Sequence, residues 1–368
     1  MDRKIDFDVP NISNVEKEYI LKALDSRFVS TIGPHLNEFE EKFTRYLKCK
    51  KSAATQSGTA ALHISLYELG IGPGDEVIVP VTTFIASINP LLYVGAKPVF
   101  VDVDEETWNM LPDQIEQAIT AKTKAIIPVH LYGNPCDMNA IMKIAKKHNL
   151  FVIEDATESL GAHIDGRFTG TFGDMGCFSF SGNKTITSGD GGMVVGNNHK
   201  QMEHIKYLIN QAKDATGGYF HSEVGFKYGM SNLEAALGLA QFSRLQEFLD
   251  KKKEFSEIYK EELSDVAGVK FQKLYDKAVS SWWLTCITVD RANLQLTDIQ
   301  EALMKKGIPT KRFFVPIVEF PPYKNHQKEG AFDNAYKIYH RGLCLPSTTV
   351  NSLDDTRYIG RTIKELLT

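Results

Sequence analysis

Residues 52–103 read SAATQSGTAALHISLYELGIGPGDEVIVPVTTFIASINPLLYVGAKPVFVDV, and the order of segments within them indicates the fold class. Three short runs, SAAT, EVIVP and KPVFVDV, are largely apolar without strict polar alternation, which predicts strands that are buried on both faces. The intervening segments GTAALHISLYELG and TTFIASINPLLYVG have the length and composition of helices. Strands that alternate with helices in this way predict a mostly parallel sheet covered by helices.

The same alternation extends in both directions from this stretch. Towards the carboxyl terminus the predicted helices and strands are PDQIEQAI, AIIPVH, CDMNAIMKIAKKH, FVIED and MVVG, and two amphipathic helices at 15–26 and 36–47 precede the stretch. A helical stretch from about Ser231 to Leu263 follows. The strand WWLTCITV, a helix at 297–306 and a proline-rich connection at 316–322 then predict a smaller α/β lobe. We therefore expect a large domain at 1–245, which includes the N-terminal helices, and a small C-terminal domain at 246–368.

Composition excludes several classes of protein. The 368 residues are 43% hydrophobic and 24% charged, with a net charge of −4 and a pI of about 6.2, so neither nucleic acid nor an anionic membrane is an expected partner. The five cysteines are dispersed without a C-x-x-C pair, and the histidines show no metal-ligand spacing, so we expect neither disulfides nor a metal site. The first residues, MDRKIDFDVP, lack the apolar core of a signal peptide, and no apolar run reaches membrane-spanning length. A soluble cytoplasmic protein is expected.

One lysine stands in an unusual setting, in the stretch FSFSGNKTITSGDGG at 178–192. Lys184 lies among glycines and small hydroxyl residues, which allow tight turns and leave room for a ligand to approach the main chain. A lysine that is partly desolvated there would have a lowered pKa, and its free amine would be a nucleophile for carbonyls. An ordinary loop lysine is the alternative that this stretch alone leaves open.

Three further positions lie where a parallel sheet places its ligands, at the carboxyl ends of strands. Ser57-Gly58-Thr59 precedes a helix and forms either an anion site or a plain N-cap. Asp155 ends the strand FVIED, with Glu158 three residues later, and needs a cation such as a salt-bridge partner or a protonated pyridine nitrogen. Phe84 follows EVIVP and could either cover a flat ligand or pack in the core.

Taken together, these residues predict a site for pyridoxal phosphate. This cofactor needs an anion cradle, an aromatic ring against its own ring, an aspartate that keeps its ring nitrogen protonated, and a lysine that forms a Schiff base. A nicotinamide-binding oxidoreductase is disfavoured because no G-x-G-x-x-G follows the first strand, and neither a P-loop nor a G-x-S-x-G motif is present.

The chain resembles the DegT/DnrJ/EryC1/StrS family of sugar-nucleotide aminotransferases, which are fold type I pyridoxal phosphate enzymes. The resemblance covers essentially the whole length and rests on FVSTIGPHLNEFEEKF, SGTAALHISLYELGIGPGDEVIVP, TTFIASINP, GAKPVFVDVD, PVHLYGNP, VIEDATESLGA, GDMGCFSFSGNKTITSGDGGMVV and SNLEAALGLAQ. It implies that Lys184 forms the Schiff base and that Asp155 pairs with the ring nitrogen. It also implies that Gly58, Thr59 and Ser179 hold the phosphate, that Phe84 covers the ring and that Glu158 lies near the ring hydroxyl. Family members are dimers whose two active sites lie at the subunit interface.

Two positions depart from the family pattern. Lys227-Tyr228-Gly229 stands where the family usually has Asn-Tyr-Arg, whose asparagine reaches the phosphate in the partner subunit. Lys227 could make that contact instead, or it could be an exposed lysine. Pro316-Ile317-Val318 replaces the usual Pro-Leu-His, so no substrate contact is inferred from that histidine.

The resemblance implies transfer of an amino group from glutamate to a nucleotide-linked keto-sugar. The lysine loop, of the form GNK-x-x-T/S-G-x-GG, resembles that of enzymes acting on 4-keto-6-deoxy sugars in surface glycan or nonulosonate biosynthesis. It favours a UDP-linked 2-acetamido-4-keto-2,6-dideoxyhexose over the alternative, GDP-4-keto-6-deoxymannose. A sugar dehydratase of the same family is disfavoured because such relatives carry histidine in place of Lys184. A binding protein without catalysis is disfavoured because the lysine, the aspartate and the phosphate cradle are all present.

Overall fold

The structure is a computed structural model and describes residues 4–215, 218–291, 295–326 and 332–368. In these ranges the α-helices are α1 (Asn14–Asp25), α2 (Pro34–Leu47), α3 (Gly58–Glu68), α4 (Asn89–Tyr93), α5 (Pro112–Ala118), α6 (Met138–His148), α7 (His199–Leu208), α8 (Asn232–Ser243), α9 (Leu245–Leu263), α10 (Leu296–Lys305), α11 (Asp333–Arg341) and α12 (Leu353–Leu367). The strands are β1 (Lys51–Thr55), β2 (Glu76–Pro80), β3 (Lys97–Val101), β4 (Thr123–Ile126), β5 (Phe151–Asp155), β6 (His163–Ile164), β7 (Arg167–Phe168), β8 (Met175–Ser179), β9 (Gly192–Gly196), β10 (Val269–Phe271), β11 (Ala278–Val279), β12 (Cys286–Val289), β13 (Lys311–Arg312) and β14 (Gly342–Cys344).

A seven-stranded sheet in the order β1-β9-β8-β5-β4-β2-β3 forms the large lobe. β8, β5, β4, β2 and β3 pair in parallel, and β9 runs antiparallel to both of its neighbours. Because β9 alone is reversed, β1, β8, β5 and β2 all point their carboxyl ends to the same edge. The mostly parallel sheet predicted from sequence is therefore confirmed, and every strand that precedes a predicted site residue ends at that edge.

The strands of this sheet are buried on both faces, as their composition predicts. Every residue of β2 is buried. Val77 and Val79 pack on one face with α3, whereas Ile78 packs on the other face in a cluster that includes Ile141 of α6. Since successive side chains of a strand alternate between faces, apolar residues at adjacent positions require helices on both sides of the sheet.

The smaller lobe contains an antiparallel sheet in the order β10-β12-β14-β13. The helix α9 joins the two lobes, because Phe248 and Leu249 pack into the large lobe while Tyr259 and Leu263 pack into the small one. The predicted domain boundary at 245/246 falls at the first turn of this helix and stays a prediction. Among the described helices, none is both long and apolar enough to cross a membrane.

Three predicted elements differ from the observed ones. The helix expected over 82–95 is divided into a 3₁₀ turn at Ile85–Ser87 and the short α4, because Pro90 has no N–H to continue the preceding turn. The helical stretch at 231–263 is two helices, separated at Arg244. The strand expected from WWLTCITV starts only at Cys286, since Trp282 has a left-handed backbone with φ of 47°.

Candidate active site

A cavity of about 530 Å³ lies at the carboxyl edge of the seven-stranded sheet and is closed on its other side by the small lobe. Its volume falls within the range of about 300–1,000 Å³ that is typical of small-molecule sites. Seven of the eight sequence-predicted site residues line it: Gly58, Thr59, Phe84, Asp155, Glu158, Ser179 and Lys184. The small lobe contributes Trp283, Lys311, Arg312 and Phe314.

Lys184 lies in the turn after β8, where its backbone N–H donates to the carbonyl oxygen of Ser181 at 3.0 Å. Its side chain is 14% exposed, and Nζ lies 3.8 Å from Glu158 Oε1 and 4.0 Å from the centre of the Trp283 ring. Burial lowers the pKa of the amine, while the nearby carboxylates oppose that shift. A larger fraction of free amine near neutral pH makes this lysine a better nucleophile and base than an exposed one.

Two glycines allow the lysine loop to take its path. Gly191 has φ of 133°, a conformation that side chains rarely adopt. A Cβ added at Gly192 would lie 2.4 Å from the carbonyl oxygen of Ser57, so the loop approaches the start of α3 closely. Tight turns and close approach therefore account for the glycines at these two positions.

Asp155 is 2% exposed at the end of β5. Its Oδ2 accepts a hydrogen bond from Ser87 Oγ at 2.6 Å, and its Oδ1 accepts one from the backbone N–H of Thr157 at 3.1 Å. Both donors are neutral groups. These hydrogen bonds, the ones that the described part of the chain makes to the Asp155 carboxylate, therefore do not supply the cation that a buried carboxylate needs. The geometry therefore favours a cationic ligand in the cavity over the structural salt bridge that the sequence left open.

Glu158 lies beside Lys184 on the cavity wall and is buried. Its Oε2 accepts the backbone N–H of Tyr132 at 2.8 Å, and Tyr132 itself has a left-handed φ of 56°. Burial raises the pKa of the Glu158 carboxyl to about 7, although the Lys184 charge and the Tyr132 N–H act in the opposite direction. Glu158 can therefore hold or release a proton near neutral pH, directly beside the amine.

An anion cradle is formed where β1 leads into α3. Ser57 Oγ accepts the N–H of Ala60 at 3.1 Å and so serves as the N-cap. The N–H groups of Gly58 and Thr59 lie in the first turn, where an α-helix offers no backbone acceptor, and both residues line the cavity. A Cβ at Gly58 would come within 2.9 Å of Ser179 Cβ, so only a glycine lets these two segments meet. Ser57-Gly58-Thr59 can therefore serve both as an N-cap and as an anion site, because the Ser57 cap does not occupy the N–H groups of Gly58 and Thr59.

Phe84 is 55% exposed and lies on the cavity wall, with its ring centre 5.9 Å from that of Phe314. A phenylalanine with half its surface exposed is not packed in a core. The core-packing alternative is therefore wrong, and the ring is available to cover a flat ligand.

The donor set of this cavity fits pyridoxal phosphate. Helix-start amides and the Ser179 hydroxyl suit the phosphate, the ring of Phe84 suits a stacked pyridine, and Asp155 suits a protonated ring nitrogen. Lys184 supplies an amine with a lowered pKa at the same site.

Trp283 and Tyr132 are aromatic cavity residues that the sequence patterns do not predict as site residues. Trp283 donates its indole N–H to the carbonyl oxygen of Asn183 at 2.7 Å and covers Lys184 Nζ with its ring. Tyr132 stacks between Trp283 and Phe314. The tryptophans at 282–283 fall within the stretch WWLTCITV, whose apolar composition predicts a strand and gives no separate signal for a cavity residue.

Lys227 does not line the cavity of its own chain. It is exposed, and its Nζ lies 3.3 Å from Thr31 Oγ1. The contact predicted for Lys227 belongs to the site of a second subunit, so it stays a prediction.

Comparisons with known proteins agree with this geometry. The DegT/DnrJ/EryC1/StrS aminotransferase family model matches residues 10–364. The GDP-perosamine synthase of Escherichia coli O157:H7 is 40% identical over 97% of this chain and 96% of its own length. A UDP-N-acetyl-3-dehydro-alpha-D-glucosamine 3-aminotransferase of Acidithiobacillus ferrooxidans is 47% identical, but over 56% of each chain. The structure of Spr1654 from Streptococcus pneumoniae in its PLP form has a TM-score of 0.93 at 28% identity and covers 100% of both chains.

The family match spans nearly the whole chain, and similar structures are known in both PLP and PMP forms. The predicted fold type I architecture, the aminotransferase activity and the cofactor pyridoxal 5'-phosphate are therefore confirmed. The chain belongs to the DegT/DnrJ/EryC1/StrS aminotransferase family and is a pyridoxal phosphate-dependent sugar-nucleotide aminotransferase.

Proposed function

We propose that this enzyme transfers an amino group from glutamate to a nucleotide-linked 4-keto-6-deoxy sugar. The observation that carries the proposal is the arrangement of Lys184, Asp155 and the α3 anion cradle around one cavity. Each of these groups comes from the end of a different strand, and packing of the protein core does not explain why they converge on one cavity.

In the proposed site, each residue has one physical task. Bound pyridoxal phosphate supplies a protonated ring that withdraws electrons from the substrate carbon next to nitrogen. With the cofactor bound, Lys184 Nζ would accept the proton that the substrate carbon loses and would release it to the second carbon attached to the transferred nitrogen. Asp155 keeps its negative charge against the ring nitrogen. Glu158, whose pKa is raised to about 7, can take up or release a proton beside Lys184.

The remaining residues bind and orient. Gly58, Thr59 and Ser179 hold the phosphate through backbone N–H groups and a hydroxyl, and Phe84 covers the ring. Trp283 shields the Lys184 amine from water on the side of the small lobe, since its ring lies 4.0 Å from Nζ.

The small-lobe wall suits an anionic nucleotide. Lys311 and Arg312 line the cavity, and Lys311 is 57% exposed, with its Nζ 2.8 Å from Asp8 Oδ2. Two cations on this wall favour a diphosphate group beside it.

Two nucleotide sugars are candidate substrates. The lysine loop favours the UDP-linked 2-acetamido-4-keto-2,6-dideoxyhexose, whereas the full-length similarity to relatives named GDP-perosamine synthase favours GDP-4-keto-6-deoxymannose. The relative that is named for a UDP 3-keto sugar matches only 56% of this chain. We give greater weight to similarity along the whole length, because the small lobe that faces the nucleotide is then included, and favour the GDP-linked sugar.

Incubation of the purified enzyme with pyridoxal phosphate, glutamate and each nucleotide keto-sugar tests the proposal, with mass spectrometry of the products. We expect the GDP-linked 4-keto-6-deoxy sugar to gain an amine at least about tenfold faster than the UDP-linked one. Faster conversion of the UDP sugar would reverse the choice of substrate. Conversion of 3-keto sugars alone would contradict the proposed position of the amine.

We also propose that the enzyme is a homodimer with shared active sites. Exposed apolar side chains occur on the segment after α1 (Phe28, Val29 and Ile32) and on the segment after α7 (Tyr219, Phe220 and Val224). Exposed apolar groups of this number favour burial against a second copy. Lys227 lies directly after the second segment, which places it at the proposed interface.

Substitution of Lys227 by alanine should weaken cofactor binding about tenfold, because one charged contact to the phosphate is lost. Mixed dimers of a Lys184→Ala chain and a Lys227→Ala chain separate the possible arrangements. If Lys227 acts across the interface, each mixed dimer has one intact site, and mixing two poor homodimers restores activity. If it acts within its own chain, no intact site forms. A Lys227→Ala homodimer with normal activity and normal cofactor content would show that the lysine has no such role.

A further inference from the structure

A chain of two buried hydroxyl groups leads to Asp155. Thr83 Oγ1 lies 2.8 Å from Ser87 Oγ, and Ser87 Oγ lies 2.6 Å from Asp155 Oδ2. All three side chains are buried, and all three residues line the cavity.

The direction of these hydrogen bonds follows from their chemistry. An ionised carboxylate only accepts, so Ser87 must donate its single hydroxyl proton to Asp155. The Ser87 oxygen is then free to accept, and Thr83 donates to it. The chain runs from Thr83 to Ser87 to Asp155, and each bond places a partial positive charge towards the carboxylate.

We propose that Ser87 and Thr83 are positioning residues that fix the orientation and the negative charge of Asp155. The proposal rests on the role proposed above for Asp155 at the ring nitrogen of the cofactor. Ser87 occupies one acceptor position of Oδ2 and the Thr157 N–H occupies one of Oδ1. The carboxylate can then rotate little, and its remaining acceptor positions are left for a ligand in the cavity.

The local backbone explains why these hydroxyls are in place. Thr83 precedes the 3₁₀ turn at Ile85–Ser87 and Ser87 is its last residue, whose N–H donates to the carbonyl oxygen of Phe84 at 3.1 Å. The same turn carries Phe84 on the cavity wall. One short segment thus presents both the aromatic ring and the hydroxyl that contacts Asp155, so the two can be placed together relative to a bound ring.

The charge of Asp155 matters as much as its orientation. A hydrogen bond from Ser87 stabilises the ionised form of a buried carboxylate, which otherwise pays a desolvation penalty. Without that bond the carboxylate would be held less firmly against a ring nitrogen and would stabilise the protonated ring less. The cofactor ring would then carry less positive charge, and a nitrogen linked to Lys184 would hold its own proton more tightly.

The test uses the full-length enzyme with four single substitutions, the double variant Thr83→Val/Ser87→Ala, and Asp155→Asn. Ser87→Ala removes the donor, Ser87→Thr keeps a hydroxyl, and Thr83→Val removes only the outer donor. Ser52→Ala is the matched control, because Ser52 is buried, accepts from Thr44 Oγ1 at 2.8 Å and donates to the Glu40 carbonyl oxygen at 2.8 Å, away from the cavity. Three properties are measured: the Kd of the apoenzyme for pyridoxal phosphate, the pH titration of the absorption spectrum of the bound cofactor, and the melting temperature of the apoenzyme.

We expect Ser87→Ala to weaken pyridoxal phosphate binding about tenfold and to move the spectral titration to higher pH. Ser87→Thr should restore most of both properties. Thr83→Val should have a smaller effect in the wild-type background and none when Ser87 is already alanine, because the chain is then broken at its middle member. Ser52→Ala should lower the melting temperature without changing the spectrum or the Kd.

Two results would overturn the proposal. An unchanged titration and an unchanged Kd in Ser87→Ala would show that Ser87 does not act on Asp155. Equal effects of Thr83→Val in both backgrounds would show that Thr83 acts independently. Asp155→Asn separates this failure from that of the proposed function. If Asp155→Asn changes the spectrum and Ser87→Ala does not, only the role of the hydroxyls is wrong. If Asp155→Asn also leaves the spectrum unchanged, the ring-nitrogen assignment fails as well.

Discussion

Lys184→Ala should abolish transamination, with a loss on the order of 10⁴-fold or more, because the variant lacks both the nucleophile and the proton carrier of the proposed site. The wild-type enzyme with its cofactor should be yellow. Treatment with borohydride should attach the cofactor permanently to the peptide that contains Lys184. The alanine variant should show neither the colour of the wild-type enzyme nor the permanent attachment.

A second buried lysine provides a strict control for this assignment. Burial lowers the pKa of Lys252 to about 7, so its amine is also available as a free base near neutral pH. Its Nζ, however, donates to the carbonyl oxygens of Trp283 at 2.9 Å and Ser347 at 2.8 Å and lies outside the main cavity. Lys252→Met, which keeps an apolar stem of similar length, should still carry the label on Lys184. Label on the Lys252 peptide of the wild-type enzyme would contradict the assignment.

Sequence patterns were sufficient for the residues that lie at strand ends. Asp155 ends β5 and Lys184 follows β8, so their convergence follows from a parallel sheet, whereas Ser179 at the end of β8 was indicated only by the family resemblance. The same reasoning places Gly58 after β1 and Phe84 after β2. For these positions, local composition and sheet geometry together determine the location.

Contacts that depend on an irregular backbone could not be predicted in this way. Trp282 has a left-handed backbone, and β12 begins only at Cys286. Trp283 therefore lies before the strand, where the small lobe packs against the lysine loop, and its ring contacts Lys184. The Tyr132 N–H reaches Glu158 only because Tyr132 adopts a positive φ, which no tyrosine prefers. The Ser87 hydroxyl points at Asp155 because Pro90 interrupts the predicted helix and leaves a 3₁₀ turn. Each contact depends on a residue whose backbone departs from regular helix or strand geometry. Hydrophobic periodicity is a property of a whole segment and does not reveal such a departure at a single residue.

Asp155→Asn should lower the rate of transamination on the order of 10²-fold or more, while the cofactor still binds through its phosphate. Asparagine keeps the shape of the side chain but removes the negative charge that holds the ring nitrogen protonated. The amide oxygen can still accept the N–H of Thr157, and the Ser87 hydroxyl can turn to accept from the amide nitrogen, so the side chain stays in place and the loss should come mainly from charge. The absorption spectrum of the bound cofactor should change together with the rate.

A buried aspartate elsewhere in the large lobe separates this effect from a general cost of removing a buried charge. Asp102 is buried after β3, where its carboxylate accepts the backbone N–H groups of Val103, Asn334 and Ala335 and caps the start of α11. It does not line the cavity. Asp102→Asn should therefore lower the melting temperature, because a hydrogen bond between the lobes is weakened, and leave the spectrum of the bound cofactor unchanged. If Asp155→Asn instead retains near-normal turnover and a normal spectrum, Asp155 serves only the structure, and the electron-withdrawing state of the cofactor must be maintained by another group.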